Sequence, residues 1–278
     1  MKKIFNFILI IITINLSAQS SYTGFIDKYP IELFAEITSG NYANGVYVYS
    51  NIDEPINLTG NFENGTVTFY EKDTKGVKTA TMIFRDYNAE NDKIDGIWID
   101  LKTKKELKIT LTKNSENSDG IIQAASIGDK YFRVFNDNQN ANEIRIYQKK
   151  TDKFLQKFQV ECRFSGINSI DVDDFNFDGL PDFSIFESSF AGPNTSSLYF
   201  LYNPKTKKYF DSDFTGVSLE FDSKSKRITE TNSCCAGSTI MISEYKLVKN
   251  KMILTKEKCL KWSEEKQELV ERKAINCR

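Results

Sequence analysis

Residues Ser238-Thr-Ile-Met-Ile-Ser-Glu-Tyr-Lys-Leu-Val248, then Lys249-Asn250, then Met252-Ile-Leu-Thr-Lys-Glu-Lys-Cys-Leu260, read as two strands folded back on each other. Both runs are rich in β-branched and aromatic side chains, and the Lys-Asn pair between them suits a tight reversal. The same grammar extends through the rest of the chain. Upstream, segments 31–37, 45–50, 56–60, 66–70, 80–84, 94–100 and 107–111 alternate apolar and polar residues between clusters of Gly, Asn, Asp, Pro or Lys. After the polar stretch 113–120 it resumes at 131–135, 144–147, 154–160, 183–186, 198–202, 217–221 and 228–231. No segment keeps a helical period over three turns with a cap, so an all-β chain is expected. The tail from Trp262 to Ala274 can be read as a helix started at Ser263-Glu-Glu-Lys266. A strand, a turn at Glu264–Lys266 and a return strand is the preferred reading.

The polar stretch Lys113-Asn-Ser-Glu-Asn-Ser-Asp-Gly120 separates two strand-rich regions and has a linker's composition. The expected organisation is a leader over 1–18, an N-terminal β domain over 19–113, a linker at 114–120 and a C-terminal β domain over 121–278. The first domain should be an antiparallel meander closed into a barrel or stacked as a sandwich. Its aromatics Tyr47, Tyr49, Phe69, Phe84 and Trp98 are expected to fill the interior, the alternative being a sugar-stacking platform.

Lys2 and Lys3 precede an apolar run over 4–14, and Leu16-Ser17-Ala18-Gln19 follows it. This order is that of a secretory signal peptide cleaved after Ala18. The run falls short of the roughly 20 residues that a membrane-spanning helix needs. The expected destination is the periplasm or the exterior. Without Lys2 and Lys3, the 37 basic residues fall to 35 against 38 acidic ones, a net charge of about −3. No concentrated basic face exists to neutralise phosphates, so a nucleic-acid partner is not expected.

All five cysteines, Cys162, Cys234, Cys235, Cys259 and Cys277, lie in the second half. In an oxidising compartment they should form disulfides. The hairpin brings Cys259 opposite residues shortly after Cys235, which favours a bridge to Cys259 from Cys235, with Cys234 as the alternative partner, and leaves Cys162–Cys277 as a second guess. The chain has no histidine. That removes Ser-His-Asp and Cys-His catalysis and His-ligated zinc. No enzyme activity is expected, although a carboxylate pair such as Glu161 and Glu187 would leave no distinctive mark in a sequence.

The segment Asp171-Val-Asp-Asp174-Phe-Asn176-Phe-Asp178-Gly179-Leu180-Pro-Asp182 places oxygen-bearing side chains at positions one, three, five and nine from Asp174. Gly179 sits at position six for the sharp reversal, and Leu180 is placed to offer its carbonyl. Hard oxygen donors wrapped round one point are the chemistry of a calcium loop, with Asp174, Asn176, Asp178, Leu180 and Asp182 as ligands. The twelfth position is Ile185 rather than Glu, so an EF-hand helix pair is not implied. The bland alternative is an Asx-rich turn whose carboxylates cap backbone amides.

This loop resembles the D-x-D-x-D-G-x-x-D loops between strands of β-propeller and related extracellular repeats. Together with Gly192–Asn194, Leu198-Tyr-Phe-Leu-Tyr-Asn-Pro-Lys-Thr-Lys-Lys-Tyr209 and Tyr245-Lys-Leu247, it resembles a family of bacterial periplasmic proteins related to inhibitors of lysozyme-like peptidoglycan hydrolases, immunity proteins included. The resemblance covers roughly residues 120–260. It implies a calcium-stabilised blocker that pushes a loop into a hydrolase cleft. The loop in question is 188–197, with Ser188, Ser189, Gly192 and Asn194 as contacts. Ser39-Gly40-Asn41-Tyr42 is similar to the S-G-x-Y signature of several lysozyme inhibitors, the alternative being a plain turn. A non-inhibitory envelope module that binds glycan or protein is the second functional expectation.

Overall fold

The structure is a computed structural model, described for residues 17–38, 40–115, 120–137 and 140–277. The leader through Leu16, residues 116–119 of the expected linker and Ser39 lie outside the described residues. The chain divides into two units: residues 1–47 with 57–114, and residues 48–56 with 115–278. It is all-β, and the helices among the described residues are 3-10 turns of three or four residues. None is long and apolar enough to cross a membrane.

The first unit is a closed eight-stranded barrel in simple chain order. Its strands are β1 (Ser17–Ile26), β2 (Tyr29–Thr38), β3 (Tyr42–Tyr49), β4 (Ile56–Glu63), β5 (Thr66–Lys72), β6 (Lys78–Phe84), β7 (Lys93–Asp100) and β8 (Glu106–Lys113). Alternate residues such as Leu33 and Ala35, Val67 and Phe69, and Ile109 and Leu111 are buried, as the period of two requires. Closure comes from β1 pairing with β8, Tyr22 opposite Lys113 and Ile26 opposite Ile109. The backbones approach closely at Gly24, where a Cβ would stand 2.1 Å from the Thr110 carbonyl oxygen. Tyr47, Phe69 and Phe84 are wholly buried, and Phe69 meets Phe84 edge to face. Tyr49 and Trp98 are half-buried, with the Trp98 indole donating to Glu71 Oε1 at 2.6 Å.

The second unit contains three antiparallel sheets, each a run of consecutive strands. The first holds β9 (Ile121–Ile127), β10 (Lys130–Asp137), β11 (Asn140–Gln148) and β12 (Lys153–Arg163). The middle sheet holds β13 (Ile170–Asp173), β14 (Asp182–Ser189), β15 (Thr195–Asn203) and β16 (Lys208–Asp211). The last holds β17 (Leu219–Asp222), β18 (Arg227–Cys234), β19 (Thr239–Val248), β20 (Lys251–Ser263) and β21 (Glu268–Arg272). The alternation along β15 decides how they stack. Phe200 joins Phe183, Ile185, Phe132 and Ile144 in a core with the first sheet. Tyr199 and Leu201, one residue to either side, join Phe175, Phe177, Phe214 and Ile228 in a core with the last sheet. The middle sheet is thus buried on both faces. At roughly 1.5–3 kcal/mol for each large side chain withdrawn from water, these aromatics dominate the packing of the unit.

The Lys249-Asn250 reversal and the return strand after Ser263 take the expected form. The disulfides do not. Cys259 pairs across the ladder with Met241, while Cys235 lies before β19 in the turn Cys235–Gly237, so the expected Cys235–Cys259 bridge does not form. Instead the segment after β21 folds back as a 3-10 turn, Ala274–Cys277, and Cys259 bonds Cys277 across a Cα separation of 5.6 Å. Cys234 bonds its neighbour Cys235, and Cys162 is a buried free thiol, which removes the Cys162–Cys277 guess as well.

Candidate functional site

The site region is the middle sheet, with the acidic loop entering β14 and a hairpin tip leaving it. In the acidic loop the side chains alternate in direction. Phe175 and Phe177 turn inward and are buried in the core against the last sheet, where Phe175 meets Tyr199 and Phe221 at ring distances of 5.0 and 4.9 Å. Asp174, Asn176 and Asp178 thereby face outward. Phe177 at φ +62° and Gly179 at φ +86° complete the reversal. Asp174 Oδ1 accepts the Asp178 amide at 3.0 Å and its Oδ2 the Gly179 amide at 2.7 Å. Asn176 Oδ1 also accepts the Asp178 amide, at 3.0 Å, and Asp178 Oδ1 accepts the Leu180 amide at 2.9 Å.

Asp182 behaves differently from the rest of the set. It is wholly buried at the start of β14, accepting the Phe175 amide at 3.1 Å and the Tyr202 amide at 2.7 Å. Burial pushes its carboxyl up to about 6, and the charges of Asp178 and Asp174 add to the rise against the pull of the Tyr202 amide. Asp182 therefore ties the loop to β15. Among the described residues no three Asp, Glu, Cys or His side chains gather as a metal-holding group. The outward side-chain donors are two carboxylates, Asp174 and Asp178, and the Asn176 amide oxygen, with Leu180 one residue past Gly179. An all-oxygen set matches a hard divalent cation in kind, and an oxygen that accepts one amide retains a second lone pair.

At the far end of β14, Ser188 and Ser196 exchange a hydroxyl hydrogen bond at 3.0 Å. The Phe190 amide donates to the Asn194 carbonyl at 2.9 Å, closing a turn in which Gly192 takes φ +75°. Asn194 is buried. Its Nδ2 donates to the Ser233 carbonyl at 2.7 Å and its Oδ1 accepts the Ser233 amide at 2.9 Å, so one side chain mimics a strand partner for β18. Thr195 is tied in turn to Ser218, amide to Oγ at 3.1 Å and carbonyl to amide at 2.7 Å. Ser189 and Gly192 stay exposed on this braced tip. Phe190 is 53% exposed, the sole large apolar side chain between Ser188 and Ser197 left so open.

Beyond Ser233 lies the vicinal pair Cys234–Cys235, whose turn holds Cys235 at φ +57°, Ala236 at +55° and Gly237 at +83°. It faces the Phe190–Asn194 turn across a cleft of about 530 Å³. Sequence reasoning marked the serines, Gly192 and Asn194 but not Phe190 or this second wall. The adjacent Cys-Cys-Ala-Gly was the available signal, because neighbouring cysteines can bond only by forcing an unusual turn. Elsewhere, exposed Asn41 lies between β2 and β3 at φ +64°, and exposed Tyr42 opens β3. Glu161 and Glu187 both act on the buried Cys162 thiol, which burial chiefly, and their charges in addition, push up to about 12.

No family model matches the chain, and no curated protein does. Among solved structures it is similar to a Xanthomonas type IV secretion system related protein, at 12% identity over 91% of this chain and 98% of that one, with a TM-score of 0.29. It is also similar to the β-propeller domain of the trilobed protease from Pyrococcus furiosus, at 12% identity over 91% of this chain and 71% of that one, with a TM-score of 0.23. Likenesses this faint say nothing about what the chain binds or does.

Proposed function

We propose that this chain is an exported, calcium-stabilised binding protein that acts as an inhibitor or immunity protein on a lysozyme-like peptidoglycan hydrolase. The observation that carries the reading is the hairpin tip. A blocker has to offer a protruding loop that is already ordered, because ordering it on contact would subtract from affinity. Here the tip is exposed at Ser189, Phe190 and Gly192 yet braced at its root by Asn194 on Ser233 and by Thr195 on Ser218. Calcium held by Asp174, Asn176, Asp178 and Leu180 would stiffen the opposite end of β14, with Asp182 linking that loop to β15. Two disulfides agree with an oxidising compartment. The mildly acidic balance suits a basic hydrolase.

The test is titration of purified protein into peptidoglycan turbidity assays with a panel of hydrolases. Near-stoichiometric suppression of at least one, lost in Ser189→Arg, at an exposed strand position, while the melting profile is retained, is the expected result. Failure to suppress any of the panel, or equal suppression by Ser189→Arg, removes the proposal.

A further inference from the structure

The tip cleft has a chemistry of its own. One wall is Phe190, Gly192 and Pro193, the other Cys234, Cys235 and Gly237, and none of the lining side chains carries a charge. The volume of about 530 Å³ is that of a small-molecule site and exceeds what one protruding side chain would fill. A charged ligand would lose water here with no counter-charge to meet it. A wholly apolar ligand would dehydrate the peptide groups, which are all that Gly192 and Gly237 have to present. An uncharged ring with an apolar face and a hydroxyl-bearing edge meets both demands.

We propose that this cleft is a binding site for a neutral pyranose ring, stacked on Phe190 and walled on the opposite side by the Cys234–Cys235 disulfide. Aromatic faces hold such rings through their C–H surface, and Phe190 is the exposed aromatic positioned to do so. The vicinal disulfide fuses two residues into one rigid apolar surface, and the consecutive left-handed residues after it are held where L-residues rarely sit unless the surroundings impose it. Asn194 spans from one wall to the other through Ser233, so the width of the cleft is set before any ligand arrives. The site stands whether or not the tip also blocks a hydrolase.

The experiment is a titration of the oxidised full chain with chitotriose, followed by backbone amide shifts, with the glucosamine trimer as a cationic control of the same shape. Perturbations confined to residues 190–194 and 232–237 are expected, with affinity about fivefold to tenfold weaker in Phe190→Ala, the size of one lost stacking contact. Phe190 is exposed, so that variant keeps its fold. The Cys234→Ser/Cys235→Ser pair should weaken binding as well, and the cationic trimer should bind less tightly than the neutral one. Absence of shifts at about 10 mM chitotriose, shifts away from the tip, or Phe190→Ala binding like wild type would overturn the assignment. A hydrolase assay that fails while these shifts appear would sink the proposed function alone.

Discussion

Removing the Cys259–Cys277 bridge by the double change Cys259→Ala/Cys277→Ala should cost about 3 kcal/mol. The bridge closes a loop with a sequence separation of 18, and the chain-entropy relation for that length gives about 11 cal/mol/K, or about 3 kcal/mol at 25 °C. In a unit of this size that is a fall in melting temperature of roughly 6–12 °C. Cys234–Cys235, at a separation of 1, closes almost no loop, so Cys234→Ala/Cys235→Ala should cost under about 1 kcal/mol by the same relation. Urea unfolding followed by fluorescence of Trp262, which sits in β20 opposite Leu269, reads the affected sheet directly. A loss under about 1 kcal/mol for the Cys259/Cys277 pair, or a non-reducing peptide map joining Cys259 to Cys235, would refute the pairing and the loop-length argument together.

Gly24→Ala should open the barrel seam at a cost above about 2 kcal/mol, because its Cβ would meet Thr110 and Leu111 backbone atoms that cannot swing aside; thermal unfolding followed at Trp98 reads it. Glu143→Gln should lose about 1–3 kcal/mol at neutral pH in denaturant titrations. Burial works to raise the Glu143 carboxyl, but Lys157 and Arg145 outweigh it and hold the group below the usual carboxylate range. Its contribution is therefore present above the unfolded-state value and lost as pH falls through the folded one, so wild type and variant should converge in acid. Cys162, raised from 9.0 to about 12, should label with thiol reagents at mild alkaline pH about a thousandfold more slowly when native than when unfolded; equal rates would place it at the surface.

Most of the barrel was legible because its strands obey a period of two with turn residues between them. β1 was missed because its first residues were read as the end of a leader, although Tyr22 and Ile26 are wholly buried. In the second unit β9 escaped because Ile121-Ile122-Gln123-Ala124 is a nearly unbroken buried run beside a polar stretch, without alternation to reveal it. β13 and β16, four residues each, are too short to carry a pattern. Segment 217–221 was placed two residues early, since Val217 serves instead in the turn that meets Glu230. The acidic loop was recognisable from its spacing, but the withdrawal of Asp182 into the core was not. Its burial depends on Tyr202, a strand away, and on Phe175 and Phe177 filling the core beside it. Disulfide pairing failed for a similar reason: only the fold-back of Ala274–Cys277 brings Cys277 to Cys259.

The most direct test of the central claim is thermal unfolding of the purified protein in about 10 mM calcium and in chelator, with hydrolase inhibition measured on the same samples. Exported calcium modules bind at roughly 0.1–1 mM, so saturation should add about 1.4–2.7 kcal/mol and raise the midpoint by roughly 3–10 °C. Asp178→Ala should abolish that rise, and inhibition should weaken in chelator. A wild-type midpoint that ignores calcium, or inhibition of equal strength with and without it, would contradict the account.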